Sequence, residues 1–322
     1  MSEPAPEFLN VAMLLETSQP RAGFMRLGQA AGVFIMIVLV SAWLSGHSQQ
    51  SAQVVNVLSG VILMGLTGVM MLISWNAFRR AKAEQIQLEG IEELIRLRRW
   101  QEAGAMLQQL LGQPTRSPQT RVQGLIFLTG VLARYNRFDD AIMVQNYLLE
   151  QIGLDEGTAH GLRLARAMAM LRADHLFDAD RAINELRRQV TRAAEANGRG
   201  IDDEDAAPPL IESETASPQS ISAGLALVEL YRDVKTGHPA EAIELFNSTL
   251  SSMREQLGQR VADAHVLVAR AYEMLSRDAE AQASYAKATL LTPPEELHRR
   301  YPETAILASK YQPTAAPREA AA

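Results

Sequence analysis

Charged residues are absent from one long stretch near the start of the chain. No Asp, Glu, Lys or Arg stands at residues 27–78, although these four types make up 21% of the sequence. Two apolar runs in this stretch, at 27–45 and 54–75, each have the roughly 20 residues that a helix needs to cross a bilayer. A water-soluble core helix normally keeps a charged stripe, and neither run has one. The pattern predicts a transmembrane helical hairpin over 24–78.

The basic residues around this stretch predict its orientation. The link at 46–53 has no Lys or Arg, whereas Arg21 and Arg26 precede the first run, and Arg79 and Lys82 follow the second. Cytoplasmic flanks carry the excess of basic residues. We therefore expect both termini on the cytoplasmic side of a bacterial-type inner membrane. We also expect the second membrane helix to continue without a break into the helix that follows.

Small residues mark the expected faces between membrane helices. Glycine lets two helices approach closely in a bilayer. This pattern fits two alternatives: a contact between the two helices of the hairpin, or a contact between copies in a homo-oligomer. The glycines concerned are Gly28, Gly32, Gly60, Gly65 and Gly68.

Beyond residue 79 the chain is rich in helix formers and repeats a short pattern. An alanine follows a turn at Ala103, Ala141, Ala242 and Ala281. In three of these cases a large apolar residue stands four positions later, which places both on one helical face. The alanine admits a neighbouring helix, and the larger residue fills the groove beside it. The later residues are Leu107, Phe246 and Tyr285.

The last of these repeats resembles the tetratricopeptide repeat family. Seven positions match the spacing of the family, and His265 stands where it usually has Trp or Leu. The resemblance implies an all-α fold, in which the hairpin is followed by an irregular TPR-like α-solenoid over 79–197 and 219–310. It includes a weaker middle repeat with Ala182 as a marker and a capping helix at 295–310. The matching residues are Val268, Ala269, Tyr272, Ala281, Tyr285, Ala288 and Pro293.

The resemblance also implies a surface for protein partners. In this family the first helix of each repeat lines a concave face. Arg134 and Arg270 on that face would pair with acidic groups, either of a partner or of the array itself. The positions implied to bind a partner are Gln123, Ile126, Arg134, Asp263, Val266, Arg270, Glu273 and Met274.

The distribution of charge predicts the nature of the remaining segments and argues against one class of partner. The net charge is −6, and residues 198–218 alone contribute −5, so we expect an acidic disordered loop there. A folded array that is nearly neutral argues against a nucleic-acid partner. Residues 1–23 form an N-terminal segment whose apolar part, 8–15, would lie in the membrane interface or pack on the hairpin. Residues 311–322 are expected to be a flexible tail.

No catalytic pattern accompanies the predicted scaffold. The chain has no Cys, its six His stand singly, and no phosphate loop, nucleophile elbow or zinc-binding helix motif occurs. We therefore expect no catalytic residue, no metal site and no cofactor. The leading hypothesis is a membrane-anchored adaptor or scaffold that binds proteins. A structural or assembly subunit of a larger membrane complex is the alternative, and an unrecognised helical enzyme is a minor one.

The topology can be tested with reporter fusions. A reporter inserted at position 50 should read extracytoplasmic, and one fused after residue 322 should read cytoplasmic, because the basic flanks stay inside. A matched pair of alkaline phosphatase and fluorescent protein fusions measures both. The opposite pattern would overturn the predicted orientation.

Overall fold

The computed structural model describes residues 9–19, 32, 51–115, 117–198 and 218–311, and all of their regular elements are helical. Side chains are not described at 51–63, 66, 69, 70, 73, 77, 193–198 and 218–222. The longer helices are α1 (Val11–Thr17), α2 (Ser51–Arg96), α3 (Trp100–Leu111), α4 (Pro118–Arg134), α5 (Phe138–Gln151), α6 (Glu156–Arg172), α7 (Leu176–Gly198), α8 (Pro218–Thr236), α9 (Pro239–Leu257), α10 (Val261–Met274), α11 (Asp278–Leu291), α12 (Pro294–Arg300) and α13 (Ala305–Tyr311). The all-α prediction is therefore confirmed for the described chain.

The helices fall into two compact units, Met1–Asp140 and Ala141–Ala322. In unit 1, α2 packs against both α3 and α4, and α3 also contacts α4. In unit 2, α6 contacts α7 and α8, α8 contacts α9 and α10, and α10 contacts α11. First helices therefore pack on first helices within each unit, and α3, α7 and α9 each pack between two of them. This is the stacking that helical repeats use.

Helix α2 is a single helix of 46 residues. It includes the second apolar run and continues through the first helix of unit 1, so the expected continuity is confirmed. In the part of the chain that the structure describes, no helix has the length and apolar content needed to cross a membrane. The first apolar run lies outside the described residues except for Gly32, and the hairpin stays a prediction.

The glycines expected at a helix seam have open surroundings where they are described. No described atom outside the helix lies within 4 Å of a Cβ built on Gly32, Gly65 or Gly68. Among the described residues, no second helix therefore lies close to Gly65 or Gly68. Gly28 lies outside the described residues, and the side-chain environment of Gly60 is not described.

Five turns in the described chain share one backbone conformation. Each turn has a residue with positive φ one or two positions after the end of the first helix, at Arg98, Asn136, Asp174, Gly237 and Ser276. The next residue donates its N–H to the carbonyl five residues earlier, as from Arg99 to Leu94 (2.8 Å) and from Arg277 to Tyr272 (2.9 Å). The left-handed residue itself donates to the carbonyl three residues earlier. These two bonds satisfy carbonyls that the helix end would leave unpaired.

The same turns define the repeat register. Five positions after each left-handed residue stands an alanine, and all five alanines are 0% exposed. In the third repeat that residue is Ala179, not Ala182, which the sequence pattern had selected. The left-handed residues Arg98, Asn136 and Asp174 are 38 residues apart, and Gly237 follows Asp174 by 63. The register alanines are Ala103, Ala141, Ala179, Ala242 and Ala281.

The one mismatch to the family pattern is accommodated in the core of unit 2. The ring of His265 packs edge to face on Phe246, with 5.3 Å between centroids. Burial lowers the pKa of His265 to about 4. A neutral imidazole therefore replaces the usual large apolar side chain at this position.

The N-terminal segment docks on unit 1. Helix α1 contacts α3, and Leu9 and Leu14 are fully buried. Arg121 of α4 donates to the Ser18 hydroxyl (3.0 Å) and the Leu15 carbonyl (3.1 Å), at the end of α1. A cation there is favourable because the carbonyl end of a helix is partly negative. The buried side chains of Leu9 and Leu14 therefore pack within unit 1. Most of the hairpin lies outside the described residues, so the expectation that residues 8–15 lie in the membrane interface or pack on the hairpin stays a prediction.

A pair of identical substitutions tests the turn geometry. Gly237 has φ +80° and open space around its Cβ position, whereas Gly130 lies in the interior of α4, also with open space. Gly237→Ala should lower the free energy of unfolding by about 1 kcal/mol because alanine is strained at positive φ. Gly130→Ala should raise it by about 1 kcal/mol because alanine favours the helix. Denaturant unfolding followed by circular dichroism measures both, and equal effects would contradict the assigned turn.

Candidate functional site

The first-helix face of unit 2 is covered by the end of the chain. We call residues 294–311 the terminal segment; it comprises α12, a 3-10 turn at Pro302–Thr304 and α13. A single helix was expected at 295–310, but Pro302 disfavours helical geometry at Tyr301, whose φ is −132° and ψ 80°. The turn and both short helices contact α10.

Tyr301 is the centre of this contact. Its side chain is 0% exposed and meets Tyr231 of α8 edge to face, with ring centroids 5.0 Å apart. The guanidinium of Arg172, at the end of α6, lies 5.3 Å from the centroid of the Tyr301 ring. Burial raises the pKa of Tyr301 above its usual value. One residue of the terminal segment therefore contacts side chains from two first helices.

Glu303 adds a polar contact beside it. The Tyr231 hydroxyl donates to Glu303 Oε1 over 3.1 Å, and Lys235 Nζ lies 3.2 Å from the same oxygen. Lys235 also pairs with Asp174 at 2.7 Å, next to the turn after α6. Burial is the main cause that raises the pKa of the Tyr231 hydroxyl, and Glu303 adds to it. The hydroxyl therefore stays a hydrogen-bond donor near neutral pH.

Arg300 fixes the terminal segment to α10. Its guanidinium donates to Asp263 Oδ1 over 2.7 Å and to Glu296 over 2.5 Å. Asp263 is 1% exposed, so this ion pair is shielded from water. Breaking such a pair leaves an uncompensated buried charge, which is strongly destabilising.

These contacts change the expected partner surface in the last repeat. Asp263 is buried under Arg300, and Val266 is 0% exposed in the core, so the prediction that these two residues contact a partner is wrong for this structure. The reason is that the terminal segment occupies the face that the resemblance leaves open. Arg270 forms an ion pair with Glu273. Of the two expected roles for Arg270, this favours pairing with an acidic group of the array itself over pairing with a partner. Met274 remains exposed.

The first-helix face of unit 1 is open where α4 passes along it. Gln123 and Gly130 are exposed, and Ile126 is partly exposed. No described atom outside α4 lies within 4 Å of a Cβ built on Gly130. Arg134 places its guanidinium 5.6 Å from the centroid of the Trp100 ring rather than in a salt bridge. The expected positions of the second repeat therefore share one accessible surface.

A polar groove lies at the other end of this surface. It has a volume of about 540 Å³ and runs between α2 and the beginning of α4. Phe78, Lys82 and Gln85 line it from α2. Ser117, Thr120 and Gln123 line it from α4. The sequence patterns identified only Gln123, although the 3- and 4-residue spacing of the α2 residues would have placed them on one face.

No group of three His, Asp or Glu side chains in the described ranges is placed to hold a metal ion. The polar side chains on the open face are amides, hydroxyls and single cations, which suit recognition of a partner by hydrogen bonds and charge. Comparisons of the chain with protein-family models, with curated proteins and with solved structures gave no match.

The docking of the terminal segment on unit 2 predicts that two aromatic substitutions differ strongly in their effect on the free energy of unfolding. Tyr301→Ala should lower the free energy of unfolding by about 3–5 kcal/mol because it empties a buried site. Phe177→Ala is the control, because the Phe177 side chain is 82% exposed, and we expect a change within about 0.5 kcal/mol. Thermal or denaturant unfolding of the full chain measures both. Similar effects of the two changes would show that the terminal segment is not docked as described.

Proposed function

We propose that this protein is a membrane-anchored adaptor of the TPR type. Its unit 1 would bind protein partners through the open first-helix face. One observation carries the proposal: in unit 2 the corresponding face is covered by the terminal segment, whereas in unit 1 Gln123, Ile126 and Gly130 are accessible. An accessible face on stacked helices is what repeat arrays use to bind partners.

The placement of the two ends of the uncharged region supports the membrane anchor. The Ser18 carbonyl accepts a hydrogen bond from the Thr115 hydroxyl over 2.9 Å. Two residues further on, the Ser117 N–H donates to Glu84 over 3.4 Å. Residues before and after the uncharged region, Ser18 and Glu84, therefore both contact the short link between α3 and α4. An even number of crossings brings a chain back to the side from which it left, as a two-helix hairpin does.

Exposed apolar side chains on α2 give a second line of support. Met64, Met71, Leu72 and Trp75 are all more than 60% exposed. Large contiguous apolar surfaces of this kind mark membrane or protein contacts. Contact with lipid, or with another membrane helix, would cover these side chains in the proposed anchor.

Affinity capture of the full chain in a mild detergent tests the adaptor face. Gly130→Trp places a large side chain into open space on that face, and Arg134→Glu reverses its charge. Each should reduce captured soluble partners at least tenfold, and Gly130→Trp should do so without lowering the unfolding midpoint. Arg181→Glu, on an exposed position of α7, is the matched control and should retain them.

The same experiment distinguishes the alternative function. A structural subunit would retain one stoichiometric membrane partner through residues 24–78, and the α4 variants would not release it. The open surroundings of Gly65 and Gly68 favour this second candidate, because small residues form contacts between membrane helices. Capture that is insensitive to Gly130→Trp would contradict the adaptor face.

A further inference from the structure

Five residues of α2 lie on one helical face and change from apolar to polar along it. Met71, Trp75, Phe78, Lys82 and Gln85 are separated by steps of four and three, which places them in one stripe. The first three side chains are 73%, 61% and 64% exposed. The last three residues line the groove between α2 and α4. An exposed apolar stripe therefore leads directly into a polar groove.

Lys82 is the cation of this groove. It forms no ion pair or hydrogen bond with any described residue. The nearby carboxylate of Glu84 accepts from the Ser117 N–H instead. Ser117, Thr120 and Gln123 line the same groove, and the Ser117 hydroxyl oxygen accepts from the Thr120 N–H over 3.3 Å. An unpaired ammonium beside neutral donors is suited to a phosphate group.

The dimensions of the stripe match those of a lipid. Met71 and Lys82 are 11 residues apart, which is about 16 Å along a helix. The hydrocarbon core of a bilayer is about 30 Å thick, so one leaflet contributes about 15 Å. The apolar residues therefore extend along about one acyl-chain length, and the cation stands where a headgroup would lie.

We propose that the groove binds the headgroup of an anionic phospholipid, with its acyl chains along Met71, Trp75 and Phe78. The phosphate accepts from Lys82, and the hydroxyl and amide groups of α4 bind the polar atoms around it. The proposal rests on the membrane anchor proposed above. It adds a ligand in the groove that adjoins the partner surface of unit 1 at Gln123.

The absence of cysteine allows one label in the groove. Gln119 lines it from α4, so Gln119→Cys gives a single site for an environment-sensitive fluorophore. The labelled full chain is placed in phosphatidylcholine nanodiscs, and the fraction of phosphatidylglycerol is increased. We expect a saturable emission shift. In Lys82→Gln the half-saturating fraction should rise about fivefold, the effect of one cation near an anionic membrane.

Arg80→Gln is the matched control. It removes the same charge two residues away, on a part of α2 that does not line the groove. It should leave the half-saturating fraction within twofold. Equal effects of the two variants would reduce the result to general surface attraction and overturn the proposal. A shift of the same size with soluble glycerol 3-phosphate would also overturn it, because the acyl chains would then contribute nothing.

Resistance to alkaline carbonate extraction separates this proposal from the proposed function. A chain that alkali releases from membranes would contradict both. A chain that stays in the membrane pellet but shows no emission shift with phosphatidylglycerol would leave the anchor intact and refute the lipid site alone. Retention in the pellet together with a shift that depends on Lys82 would support both.

Discussion

The left-handed residue after each first helix is the constraint on which the helical hairpins depend. It turns the backbone so that two carbonyls at the helix end find N–H donors within the turn itself. The next helix then begins at once, and its first buried residue is an alanine. Because alanine has no side chain beyond Cβ, two helix backbones can approach closely there. Stacking of first helices on first helices follows from this repeated geometry.

The sequence predicted the helical class and most of the alanine register, but not all of it. Ala179 was missed because no single residue type marks the turn before it. The left-handed position is held by Arg, Asn, Asp, Gly or Ser, since each pays only a modest conformational cost. The docking of Leu9 and Tyr301 was also missed. Both depend on contacts between distant parts of the chain, which a local periodicity does not contain.

The same repeat surface has different uses in the two units. In unit 2 the chain itself supplies an aromatic ring and an ion pair to the first-helix face, at Tyr301 and Arg300. The buried pair with Asp263 fixes the position of the terminal segment, because a shifted segment would leave the buried carboxylate with only the more distant Arg260, whose Nε lies 3.9 Å from it. In unit 1 the face remains accessible around Gly130. In the described chain, the accessible first-helix face therefore lies beside the long helix α2.

Because α2 is continuous, a tilt of its N-terminal part also moves its C-terminal part. Helix α2 has 46 residues and contains no proline, and Gly90 is the only glycine after Gly68. The 19 residues from Phe78 to Arg96 span 18 helical rises, about 27 Å. A tilt of about 20°, typical of a membrane helix, would move the far end sideways by about 9 Å. With its second apolar run in a bilayer, the orientation of unit 1 would follow the thickness of the membrane around it, since helices adjust to thickness by tilting.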